Sequence, residues 1–102
     1  MFCIHLKKQG DILYTQLVGN LTKRKIHQIN DYLIPYIKQN NIRSVCCDCS
    51  KLKKMDLEGK YALLNIKIEL KKQKGNFLLC NMAKSLKEGL IGFHFKIMNL
   101  YS

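Results

Sequence analysis

The stretch NFLLCN, residues 76–81, limits the fold more than any other segment. Phe77, Leu78, Leu79 and Cys80 run without polar alternation, as expected of a parallel strand covered on both faces. A parallel strand cannot be reached through a tight turn; it needs a crossover, usually a helix. The rest of the chain supplies them.

Phe2, Ile4 and Leu6 alternate with Cys3, His5 and Lys7, a strand with one buried face. QGD at 9–11 is a tight turn, ILYTQLV at 12–18 a second strand, and the two make a hairpin that GNLT ends. Thr22 is placed to cap a helix carrying Ile26, Ile29, Leu33 and Ile37 at spacings of three and four. Pro35, which lacks an amide donor, is expected to kink that helix, and QNN at 39–41 to close it. A short strand, IRSVCCDC, covers 42–49. A helix is expected from about 56 to 74, with Leu57, Tyr61, Leu64 and Ile68 as its apolar stripe and Gly75 as its stop. A short helix at 84–90 and an alternating strand, FHFKIM at 93–98, complete the chain. The order is ββαβαβαβ: one α/β domain over 1–102, a mostly parallel sheet with a hairpin strand at one edge. The segments 45–47 and 77–80 are expected at its centre. Sites in such sheets lie beyond the carboxyl ends of the strands. Two loops are expected on that rim, 19–22 and 50–58.

Several chemistries lack the residues they need. A redox pair at Cys46 and Cys49 would sit at a helix N-terminus, but six residues separate Cys49 from Asp56. Successive strand side chains also point apart. His5, His27 and His94 lie on three elements without ligand spacing, so no metal or cofactor is expected. The five cysteines read as free thiols on small buried residues. There is no P-loop, nucleophile elbow or glycine-rich dinucleotide loop, and no catalytic residue is assigned. The charge of +11 makes nucleic acid or an acidic protein a candidate partner. Scattered lysines and only two arginines, Arg24 and Arg43, count against nucleic acid. No apolar run reaches the roughly 20 residues of a membrane span. No signal-peptide pattern opens the sequence, and a cytoplasmic monomer or weak dimer is expected.

One stretch stands apart. In Asp56-Leu57-Glu58-Gly59, Asp56 is a capping residue and Glu58 lies in the first turn, where the positive helix end favours an anion. Gly59 costs about 1 kcal/mol relative to alanine inside a helix. Two readings stand: N-terminal acid enrichment with a tolerated glycine, or a close approach by another backbone or a partner surface.

The element order, the strand IRSVCCDCSKLKKMD running into DLEGKYALL, and the later KKQKGNFLLCNMAKSLKEGL resemble a STAS domain, over residues 4–98. Within that family the resemblance is to bacterial anti-sigma factor antagonists. It implies a phosphorylation switch without catalysis by the domain. The unmodified antagonist binds an anti-sigma factor that is also a serine kinase, and phosphorylation of a serine in Asp-x-Ser-Gly breaks the complex. The matching residues are Asp56, Leu57, Glu58 and Gly59, so the acceptor serine is replaced by Glu58 and no phosphorylation is expected there. A carboxylate suits a helix end built for phosphate. Either Glu58 holds a phosphorylated-like state or the switch has been abandoned. Two further departures are Thr22, where the family has an acidic residue after Gly-x-Leu, and Lys60, where an apolar residue is common. The implied partner surface comprises Asp56, Glu58 and Gly59, with Asn20, Thr22, Lys54 and Lys60 around them. The implied function is a transcription-regulating antagonist that binds an anti-sigma factor or a related regulatory protein. The alternative is a basic STAS scaffold for another protein, a nucleotide phosphate or nucleic acid, favoured if Lys51, Lys53, Lys54 and Lys60 converge on one concave patch.

Overall fold

The computed structural model describes residues 1–99. Among them, five strands form one sheet in the order β1-β2-β3-β4-β5. β1 (Phe2–Gln9) and β2 (Ile12–Leu21) form an antiparallel hairpin around Gly10, whose φ of 62° suits a tight turn. β3 (Ser44–Met55), β4 (Asn76–Cys80) and β5 (Lys96–Met98) then follow in parallel pairing. The helices are α1 (Ile34–Gln39), α2 (Leu57–Lys72) and α3 (Lys84–Glu88). This is the expected ββαβαβαβ order, with β3 central and β1 at an edge.

Register explains the layering. Leu13, Val45 and Phe77 stand in one cross-strand row, and Thr15, Cys47 and Leu79 in another; all six are buried. They face Ile29, Leu33 and Ile37 from the first helical region and Leu63, Ile66 and Leu70 from α2. Burying a side chain such as Leu63 contributes about 1.5–3 kcal/mol. The rows between, Tyr14-Cys46-Leu78 and Gln16-Asp48-Cys80, lie on the opposite face. There Tyr14 is exposed, and Gln16, Cys46, Asp48 and Leu78 are half-buried. Leu78 is therefore not covered as Phe77 and Leu79 are, and the run 77–80 is not a strand packed equally on both sides.

Five elements differ from the sequence reading. The first helix is not one α-helix. A 3₁₀ turn, Lys23–Lys25, precedes a π-helical segment, Gln28–Leu33, and α1 begins beside Pro35. The Ile34 amide donates to Ile29 O, five residues back. A proline ring collides with the carbonyl four residues earlier in an α-helix, and the widened turn makes room where a kink was expected. Thr22 makes no side-chain cap; only its carbonyl is used, accepting from Lys25 N at 2.8 Å.

β2 and β3 run on to Leu21 and Met55, paired at their last residues, so most of both expected rim loops is strand. The exposed face of α2 was mistaken for its core face. Gly59, Ala62, Leu63, Ile66 and Leu70 are buried, whereas Leu57, Tyr61 and Ile68 are 54%, 50% and 45% exposed. Finally, only Lys96–Met98 of 93–98 is strand. His94 takes φ 60°, and Lys67 Nζ donates to the carbonyls of Phe93 and His94 at 3.2 and 2.7 Å, holding them away from a ladder.

Candidate partner-binding site

The rim at the end of β2 and β3 is organised by one carboxylate. Asp56 is extended (φ −86°, ψ −176°) and caps α2: its Oδ1 accepts from Gly59 N at 2.8 Å. Its Oδ2 accepts from Lys23 N at 2.9 Å, and its own amide donates to Leu21 O at 3.2 Å. Asp56 thus ties the start of α2 to the segment leaving β2.

Gly59 is buried where α2 crosses β2. An added Cβ would collide with the Leu21 carbonyl oxygen and lie 3.1 Å from both Leu21 Cγ and Met55 Cγ. The close approach is by the chain's own backbone. Glu58 is half-buried in the first helical turn. The ion pair found among the described residues joins Lys38 to Glu69 at 3.6 Å, so Glu58 carries no salt bridge.

The surrounding residues divide into two groups. Asn20 and Lys54 are cross-strand partners at the ends of β2 and β3, next to Thr22. Asn20 donates its amide to Met1 O at 2.9 Å, while its Oδ1 is buried and accepts no hydrogen bond. Lys60 instead leans towards α3: its Nζ lies 3.1 Å from where a Gly89 Cβ would stand. Lys54 thus belongs to the strand ends and Lys60 to the α2–α3 side of the rim.

Beyond Glu58 the surface is apolar. Leu57, Tyr61, Leu64 and Ile68 run along the outer side of α2, and Ile91, 80% exposed, extends them beside Phe93, whose ring meets Tyr61 at 5.8 Å. An exposed apolar strip rimmed by polar residues marks an interaction surface.

A second constellation, on the open sheet face, was not anticipated. Asp48 Oδ1 accepts from Ser50 N at 3.0 Å and Asn81 Nδ2 at 3.4 Å; Oδ2 accepts from Gln16 Nε2 at 3.1 Å and Ser50 Oγ at 3.2 Å. Burial works to raise this carboxyl's pKa, but the four hydrogen bonds outweigh it and hold the group below its ordinary value of 3.8. Beside it, Cys46 Sγ and Cys80 Sγ stand 3.1 Å apart across β3 and β4. Burial, then the bond to Cys46, push the Cys80 thiol up to about 12. Cys46 is thus not buried on the core side, unlike Cys47 and Cys49. Cys49 donates to Cys47 O at 3.6 Å, and that bond together with burial holds its thiol protonated. Cys46 and Cys49 diverge as strand alternation requires.

The family model for the STAS domain matches residues 4–102. No curated protein matches the sequence. Among solved structures, the anti-sigma factor antagonist SpoIIAA in its unphosphorylated form aligns with a TM-score of 0.82 at 20% identity, covering 97% of this chain and 90% of that one. The Bacillus cell fate determinant SpoIIAA in its phosphorylated form aligns at 0.81 with 19% identity, over 98% and 93%. An antisigma-factor antagonist STAS domain from Rhodobacter sphaeroides aligns at 0.60 with 13% identity, over 78% and 86%.

Proposed function

Because this chain belongs to the STAS domain family, we propose that it is a non-enzymatic, cytoplasmic regulatory module of the anti-sigma factor antagonist type, which binds a kinase-type anti-sigma factor through the N-terminal end of α2. No helix among the described residues is long and apolar enough to cross a membrane. The observation that carries the reading is Glu58. It stands where the family resemblance places the acceptor serine, in the first turn of a capped helix, without a salt bridge, and against the exposed strip from Leu57 to Ile68.

In this reading Asp56, Gly59, Asn20 and Thr22 shape the rim, Glu58 contacts the partner directly, and Lys54 and Lys60 flank the contact. A direct role is favoured over phosphoserine mimicry because the carboxylate carries about one charge, against 1.5–2 for a phosphate. Titration calorimetry against the kinase-type anti-sigma factor of the same cell tests this. Glu58→Gln and Glu58→Ser should both weaken binding, and Glu58→Gln should cost about 1.5–3 kcal/mol through loss of a charge-assisted hydrogen bond. Tighter binding by Glu58→Ser would establish mimicry instead. Equal affinity in all three proteins would remove this helix end from the interface.

A further inference from the structure

Cys46 and Cys80 are brought together by the fold alone, 34 positions apart in sequence, on the sheet face away from the helices. Their sulfurs lie 3.1 Å apart, and a disulfide needs about 2.05 Å. Cys46 stands opposite Leu78 and Cys80 opposite Asp48, so the two are diagonal neighbours across β3 and β4, and closing that gap of about 1 Å takes a small shift of one strand along the other as well as side-chain rotation. The two sites differ in access: Cys46 is partly exposed and Cys80 is buried behind it. An exposed thiol with a second thiol in contact is the arrangement in which a sulfenic acid is captured before it oxidises further.

We propose that Cys46 and Cys80 form an oxidisable dithiol that reacts with hydroperoxides and closes to a cross-strand disulfide between β3 and β4. In the first step the Cys46 sulfur attacks a peroxide oxygen. The O–O bond breaks, an S–O bond forms, and the sulfur is oxidised by two electrons while the peroxide leaves as water or an alcohol. In the second step the Cys80 sulfur attacks the Cys46 sulfenic acid. The S–S bond forms, the S–O bond breaks, and water departs with the Cys80 proton. In sum, two thiols and one hydroperoxide give one disulfide, one water and one water or alcohol. A dithiol reductant reverses the change by exchange. In the resting pair either thiol can donate to the other's sulfur. Neither Cys47 nor Cys49 can substitute, because both face the core. Cys3, partly exposed with only His5 Nε2 at 3.8 Å, provides an internal control for exposure without a thiol partner.

The experiment is treatment of the whole purified protein with equimolar hydrogen peroxide, followed by acid quench, alkylation, tryptic digestion and fragmentation. The expected result is a mass loss of about 2 Da reversed by dithiothreitol, with peptide 44–51 joined to peptide 75–84 through Cys46 and Cys80, and with Cys3 still alkylated. Cys46→Ser should abolish the link and leave Cys80 reduced, whereas Cys47→Ser should retain it. If a cysteine variant does not fold, the wild-type map decides alone. Oxidation of Cys3 while Cys46 and Cys80 stay reduced would overturn the proposal. So would a link through Cys47 or Cys49, or sulfinic acid on Cys46 beside a reduced Cys80.

Discussion

Replacing Gly59 with alanine separates helix chemistry from packing. By propensity alone, Gly59→Ala inside α2 should stabilise the protein by about 1 kcal/mol. The structure reverses the sign. The new methyl would collide with the carbonyl oxygen of Leu21, which is not free to move: it accepts the Asp56 amide at 3.2 Å. Leu21 Cγ and Met55 Cγ, each 3.1 Å from the new carbon, close the remaining directions. Overpacking costs about 1–3 kcal/mol, and here the obstacle is backbone, so the upper end applies. Pushing α2 outward also loosens the Asp56 cap, which contributes about 1 kcal/mol. After the propensity gain, Gly59→Ala should lose about 2–3 kcal/mol. For a domain of this size that lowers Tm by roughly 10–20 °C. Urea unfolding followed by circular dichroism reads it as a lower midpoint at unchanged slope. A stabilised Gly59→Ala would refute the reasoning, since it would mean that α2 does not need to approach β2 so closely.

Asp56→Ala should cost about 1–3 kcal/mol, because Gly59 N and Lys23 N both lose their acceptor, and Asp56→Asn should recover part of that; chemical denaturation of the pair checks the order. Asp48 should make stability depend on acid pH. Its folded pKa lies below 3.8, so its contribution is complete above that value and fades as pH falls through the folded pKa. Unfolding midpoints measured from pH 5 downward should show this slope, and Asp48→Asn should flatten it.

Legibility in the sequence followed the range of the interactions. The hairpin, the existence of β4 as an interior parallel strand and the inward residues Ile29, Leu33 and Ile37 rest on local patterning and were readable. So was the Asp56 cap, a local hydrogen bond. β3 was cut short because SKLKKM looks like a charged loop; only its pairing with an equally long β2 makes it strand. The face of α2 was misassigned because the helix carries two apolar stripes on opposite sides, and a 3.6-residue period fits both. The start of 93–98 was lost to Lys67, 26 positions from Phe93, which takes the carbonyls a ladder would have used. The Cys46–Cys80 pair and the Asp48 network join distant segments, and no spacing rule contains them.

The two stripes of α2 also bear on how the chain avoids a wrong fold. Rotated by half a turn, the helix would still offer the sheet Leu57, Tyr61, Leu64 and Ile68, so oiliness alone does not choose between the orientations. The native side even carries Glu69, 8% exposed, which needs Lys38 and Gln73 beside it. Shape makes the choice: Gly59 and Ala62 are the small residues that let the helix axis settle against β2, and Tyr61 on the other side would hold it off. Helix orientation is therefore a steric lock: shape, not hydrophobicity, makes one of two equally oily faces the inner one.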